Sequence, residues 1–181
     1  MRLWLLNVIG CLSAMAEPML TLDQIHVQPR FMAKALGFIA IDGVFTQASG
    51  SMQIDTVTRT ASLEVRIALA SISTGSESRD NHLRGSEFFD VANFPLATVK
   101  VQDLALDADL PRQVSGLLSL HGVSKPVQLN ISALRCELAR RPACQASVST
   151  SLLRSEWGMR HYLPLVADEV GIQIEMDAAA P

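Results

Sequence analysis

The chain has 181 residues, the size of one domain and enough to bury a hydrophobic core without metals or many disulfides. Its net charge is −3 and its basic residues form no concentrated face, Arg140-Arg141 being too short to count, which excludes nucleic-acid binding. Hydrophobic residues make up 49% but aromatics only 5%, so the apolar mass is aliphatic.

The first 16 residues read as an export signal rather than as part of the fold. Arg2 supplies a positive start, Leu3 to Leu12 an apolar run, and Ala14-Met15-Ala16 a cleavage site before Glu17. The run falls short of the roughly 20 apolar residues that a membrane span needs. Val8-Ile9-Gly10-Cys11 offers a competing reading, a bacterial lipobox with Cys11 as the lipidated residue. Either route exports residues 17–181 as one domain, with a mature start expected at Glu17 on the first.

Downstream, the dominant signal is period two. The segment from Pro29 to Val44 is apolar but irregular, and its strand boundaries are not legible. Met52-Ile54 is a short alternating run, and Leu63, Val65, Ile67 and Leu69 alternate with Ser62, Glu64, Arg66 and Ala68. Ala97-Val99-Val101, Val114 to Leu120, Val127-Leu129-Ile131, Ala146 to Leu152 and Val170 to Met176 repeat the pattern. One apolar and one polar face is the mark of a half-buried antiparallel strand. Turn-forming clusters separate the runs at Ser49-Gly50, Asp55 to Thr58, Asp107 to Pro111, His121 to Pro126 and Arg141-Pro142. About eight such strands with short connections predict an all-β antiparallel barrel or sandwich.

The charged and aromatic island from Ser78 to Pro95 interrupts this regularity. Ser78 can open and Gly85 can close one short helix. Cys136 and Cys144 face each other across a Pro-containing turn, and in an oxidising compartment they read as a disulfide; two partly buried free thiols are the alternative. Neither cysteine has companions at metal-ligand spacing. His26, His121 and His161 are scattered without convergence, and no nucleophile elbow, H-E-x-x-H helix or phosphate loop is present, so neither catalysis, a metal nor a cofactor is expected.

The island also resembles the central motif of the YceI-like, polyisoprenoid-binding family, R-D-x-H-L-R-x-x-x-F-F followed by an aromatic and Pro. Arg79, Asp80, His82, Leu83, Arg84, Phe88, Phe89, Phe94 and Pro95 carry it. Ser115 to Val127 resembles the family's G-x-L-x-L-x-G-V-T-K-P-V hairpin, and Arg154 to Met159 its R-x-x-F/W-G-M turn. Asp168 to Ile172 and the segments Leu36-Gly37-Phe38 and Gly43-Val44-Phe45 extend the match over most of residues 20–177. The resemblance implies an elongated, lipocalin-like antiparallel β-barrel of about eight strands and one short helix. It further implies non-enzymatic binding of a long polyisoprenoid or quinone-type lipid, in the periplasm.

The ligand-contacting residues expected on this basis are Phe31, Phe38, Phe45, Val65, Ile67, Arg79, His82, Leu83, Phe88, Val99 and Val101. Asp80 and Arg84 are read as pins holding the helix to strand ends, while Arg79 and His82 fit either that role or hydrogen bonds to a ligand's polar head. A quinone-linked redox or stress accessory working with a membrane partner is the rival from another class, and an exported structural domain with a filled core is the third. A membrane partner and a homodimer are both compatible with the sequence.

Overall fold

The computed structural model describes residues 19–110 and 112–180; the expected signal segment, its boundary at Glu17 and Cys11 lie outside them. The strands are β1 Met19–Leu22, β2 Gln24–Ala35, β3 Ile39–Phe45, β4 Ala48–Asp55, β5 Thr60–Ala68, β6 Ile72–Ser73, β7 Leu96–Ala105, β8 Arg112–Leu120, β9 Val123–Glu137, β10 Ala143–Leu153 and β11 Glu169–Ala179, with helix α1 Glu77–Arg84 between β6 and β7. All pair antiparallel in one sheet, in the order β1-β4-β5-β7-β8-β9-β10-β11-β2-β3-β6.

The expected fold class holds, with eleven strands rather than about eight. Asp23 alone separates β1 from β2, and a 3-10 turn over Leu69–Ser71 separates β5 from β6. The irregular stretch from Pro29 to Val44 supplies most of β2 and β3. Because β1 lies along β4 while β2 lies between β11 and β3, the run from Met19 to Ala35 joins both ends of the sheet. That continuity curls the sheet into a half-barrel with one apolar inner face. Its two ends differ. The near end carries α1, the β2–β3 tip, the β8–β9 turn and the segment between β10 and β11. The far end carries the β4–β5 and β9–β10 turns.

Local chemistry explains several turns. His121 and Gly122 link β8 to β9 with φ of 51° and 74°, the two positive values of a twist-matched two-residue hairpin. A Cβ on Gly122 would also stand 2.7 Å from Phe94 Cε1, so this turn accepts only glycine there. The sequence suggested a longer turn through Pro126, but Pro126 lies within β9 opposite Leu117. Helix α1 begins two residues earlier than expected, after Ser76 rather than Ser78, with Ser78 inside it; Gly85 ends it by donating its N–H to the His82 carbonyl.

Cys136 and Cys144 are register partners in β9 and β10 and are disulfide-bonded, with their Cα atoms 4.1 Å apart. Closing so short a loop contributes roughly 2–3 kcal/mol by restricting the unfolded chain. The double variant Cys136→Ser/Cys144→Ser is expected to lose about that much. The denaturation midpoints of oxidised wild type and variant measure it, and equal midpoints would show the bridge to be energetically idle.

Candidate binding cavity

Alternation along each strand selects which residues face inward, and the near end of the barrel decides which of those meet empty space. Ile67 of β5 lines an apolar cavity of about 130 Å³, as do Ala97 and Val99 of β7, Val127 and Leu129 of β9, and Ile172 and Ile174 of β11. The next inward residue on each strand (Val65, Val101, Ile131 and Met176) is buried but off the cavity. Below that layer Leu22, Met52 and Ile54, all fully buried, fill the barrel. The lumen is therefore open in its near half and solid in its far half.

One wall is aromatic. Phe31 and Phe45 have ring centroids 5.8 Å apart, and Phe45 meets Phe89 edge-on at the same distance. Phe31 is the register partner of Gly43, and a Cβ there would lie 2.3 Å from Phe31 Cε1. Glycine in the strand thus gives the ring its bed, covering otherwise bare backbone.

The near end is capped by α1 and by the segment after β10. Leu83 and Phe88 line the cavity from above. Phe88 stacks on Tyr162 at 5.6 Å, and the His82 ring stands edge-on to both. Glu87 accepts the Tyr162 O–H at 2.8 Å and pairs with His82 Nε2 at 2.9 Å. The His82 hydrogen bond first, then that of Tyr162, holds the Glu87 carboxyl below its usual range, while Glu87 pushes the Tyr162 phenol up.

The sign of the resulting pH dependence follows. A carboxylate with a lowered folded-state pKa favours the closed cap fully above its ordinary value, and that contribution fades as pH falls through the lowered one. Tyr162 and Phe88 ring resonances are therefore expected to shift together in acid, with a midpoint below about 4.5. Glu87→Gln should remove the transition, and its persistence in that variant would assign it to another group.

Beneath the cap, Arg154 is only 4% exposed. Its guanidinium donates to the carbonyls of Met159 at 2.7 Å, Ala167 at 3.0 Å and Val166 at 3.1 Å, and it lies 5.8 Å from the Phe88 ring centre. Burial pushes its pKa down, against the pull of Asp168. Asp168 in turn accepts the Ser155 N–H at 2.8 Å and hydroxyl at 2.6 Å, which keeps its carboxyl low. Arg154 thereby folds residues 159–167 back over the barrel mouth.

Of the expected contact residues, Phe31, Phe45, Ile67, Leu83, Phe88 and Val99 come together on the cavity wall. Val65 and Val101 share their inward face but sit one layer down, in the packed half, because the lumen ends above them. Phe38 is corrected outright: it is 80% exposed at the β2–β3 tip, where the hairpin projects past the barrel rim. Arg79 is turned away from the lumen, its Nε on the Thr74 hydroxyl at 2.7 Å and Nη2 on the Thr74 carbonyl at 2.8 Å. His82 lies above Phe88, outside the wall. Asp80 takes the Thr74 N–H and hydroxyl, and Arg84 the carbonyls of Ala70 and Ile72, so both pin α1 to the strand ends. Arg154, Glu87 and Tyr162 were not among the expected site residues. Arg154 stood in a recognisable turn motif, which was the available signal.

The YceI-like domain pattern matches residues 20–178. The chain belongs to the YceI-like family. Within it, UPF0312 proteins of Enterobacter sp. (strain 638) and of Yersinia pestis are 35% and 37% identical over 105 residues, 58% of this chain and 54% of theirs. The chain's match thus spans about half the length of these curated relatives. Among solved structures, Burkholderia cenocepacia BcnA superposes with a TM-score of 0.70 at 21% identity, over 84% of this chain and 96% of that one. A polyisoprenoid-binding domain from Saccharophagus degradans, implicated in plant cell wall breakdown, gives 0.65 at 21% identity over 91% and 99%. At such identities these structures establish the YceI-like fold.

Proposed function

We propose that this YceI-like protein binds one long apolar lipid, of polyisoprenoid or quinone type, in the near half of its barrel, and performs no chemistry on it. The observation that carries this reading is the cavity itself: aliphatic side chains from strands all round the barrel and an aromatic wall converge on one unfilled space. Each methylene moved from water into such a lining contributes about 0.8 kcal/mol. The polyisoprenoid-binding neighbour of the same fold supports the ligand class.

The resting cavity of about 130 Å³ is close in size to an apolar cavity of about 150 Å³ that holds one benzene, well short of a long isoprenoid chain. A long chain therefore enters as Phe88, Phe89 and the segment held by Arg154 move aside, with the solid far half as a stop. The ligand's polar head remains at the near end beside His82, Glu87 and Tyr162. The amino-terminal signal and the disulfide suit a periplasmic site of action.

A second reading, a quinone-linked accessory that hands its carrier to a membrane partner, draws on the hydrogen-bonded cluster of His82, Glu87 and Tyr162 at the rim. Native mass spectrometry of the exported protein tests both. A co-purifying long-chain lipid is expected, and a quinone in particular would favour the second reading. A ligand-free protein that also takes up no added polyisoprenoid or quinone would remove both.

A further inference from the structure

Among the described residues 13 large apolar side chains are exposed, and six of them lie on two short segments at the near end. Leu36, Phe38 and Ile39 form the β2–β3 tip; Tyr162, Leu163 and Leu165 form the crest of the segment after β10. The two are joined by backbone. Leu36 N–H donates to the Leu165 carbonyl at 2.7 Å, Ala167 N–H to the Lys34 carbonyl at 2.8 Å, and Ala35 bridges Val166. Val166 and Ala33 line the cavity, so this apolar crest borders the mouth.

Basic residues stand on the crest itself: residues 34–41 and 160–167 contain Lys34, Arg160 and His161, and the acids Asp42 and Asp168 come just beyond the two segments, Asp168 being held by Ser155. Lys34 is exposed and has no ion-pair partner among the described residues. Glu87, which touches the crest through Tyr162, is already engaged by Tyr162 and His82. Exposed apolar residues beside basic ones, with a tyrosine at the level between them, match the chemistry of an anionic bilayer surface. A standard protein interface takes about 20–30 residues a side, which a tip of this size does not offer. A narrow projecting wedge suits insertion among headgroups instead.

We propose that this crest docks the protein on anionic membranes with the cavity mouth facing the bilayer, so that the lipid exchanges without crossing water. The exchange rests on the lipid-binding reading above; the docking does not.

Flotation of the exported protein with vesicles of phosphatidylethanolamine and phosphatidylglycerol, against vesicles of phosphatidylcholine alone, tests it. Binding is expected to the anionic vesicles and to weaken with salt. Phe38→Glu should lower it by about tenfold or more, and Lys34→Glu/Arg160→Glu by a similar factor. Phe38 and Lys34 lie off the cavity, so native mass spectrometry of Phe38→Glu should still report the lumen lipid. Docking without any lumen lipid would leave this proposal standing and remove the lipid-binding reading. Lumen lipid without docking would do the reverse. Equal flotation of wild type and Phe38→Glu would overturn the proposal. So would a tip that fails to float but self-associates until Phe38 is replaced, which would make it an interface between copies.

Discussion

Ala97→Leu is expected to abolish lipid occupancy while changing stability by no more than about 1 kcal/mol. Ala97 lines the cavity from β7 and is the register partner of Ile67, so three added carbons enter existing space. The same logic reverses one layer down. Val65 is 3% exposed and off the cavity, within the solid half. Val65→Phe there is expected to cost about 1–3 kcal/mol by overpacking, with occupancy retained in the molecules that remain folded. Arg66→Ala on the outer face is the control, its partner Glu64 keeping Lys100, and should stay within about 0.5 kcal/mol. Denaturant midpoints and native mass spectra of the three variants supply both readouts. If Ala97→Leu is strongly destabilising and the wild type carries no lipid, the interior is a packed core and the carrier reading fails.

That contrast also marks what alternation can and cannot disclose. Period two placed Val65, Ile67, Val99 and Val101 on one inner face, because side chains on a strand leave the backbone in alternate directions. It could not place the floor between Val65 and Ile67. The floor depends on Leu22, Met52 and Ile54 reaching across the barrel from strands distant in sequence. Four-residue β1 carries too short a pattern to read, and β2 sets Met32 and the long stems of Arg30 and Lys34 on its outer face, which blurs the contrast. Phe38 shows the converse error. Its place in a segment resembling the family's first hairpin sets it among the expected ligand contacts, and the hairpin overshoots the rim. Ser78 reads as the residue that opens α1, and the chain path after β6 gives that place to Ser76 instead. The disulfide was legible because local hairpin register alone brings Cys136 and Cys144 together.

Arg154→Met is expected to destabilise the protein by about 3 kcal/mol or more, the largest single-site effect on folding at the site. The side chain is 4% exposed and serves the carbonyls of Met159, Val166 and Ala167. Removing the donors leaves the buried Met159 carbonyl and the part-buried carbonyls of Val166 and Ala167 without their partner, and a buried unsatisfied group costs about 1–3 kcal/mol. Methionine keeps comparable apolar bulk against Phe88, so cavity formation adds little. Lysine is no substitute: its ammonium presents donors at one point and cannot span carbonyls at positions 159, 166 and 167, so Arg154→Lys should recover only part of the loss. The second effect concerns the mouth. With residues 159–167 released, Tyr162 leaves Phe88 and the cap opens, so lipid should dissociate faster even at temperatures where Arg154→Lys stays folded. Urea titrations report the first effect and lipid off-rates the second. A stability loss below about 1 kcal/mol with an unchanged off-rate would mean that the segment is held by its own backbone contacts with Lys34 and Leu36. Both effects together would establish Arg154 as the post on which the closed mouth is built.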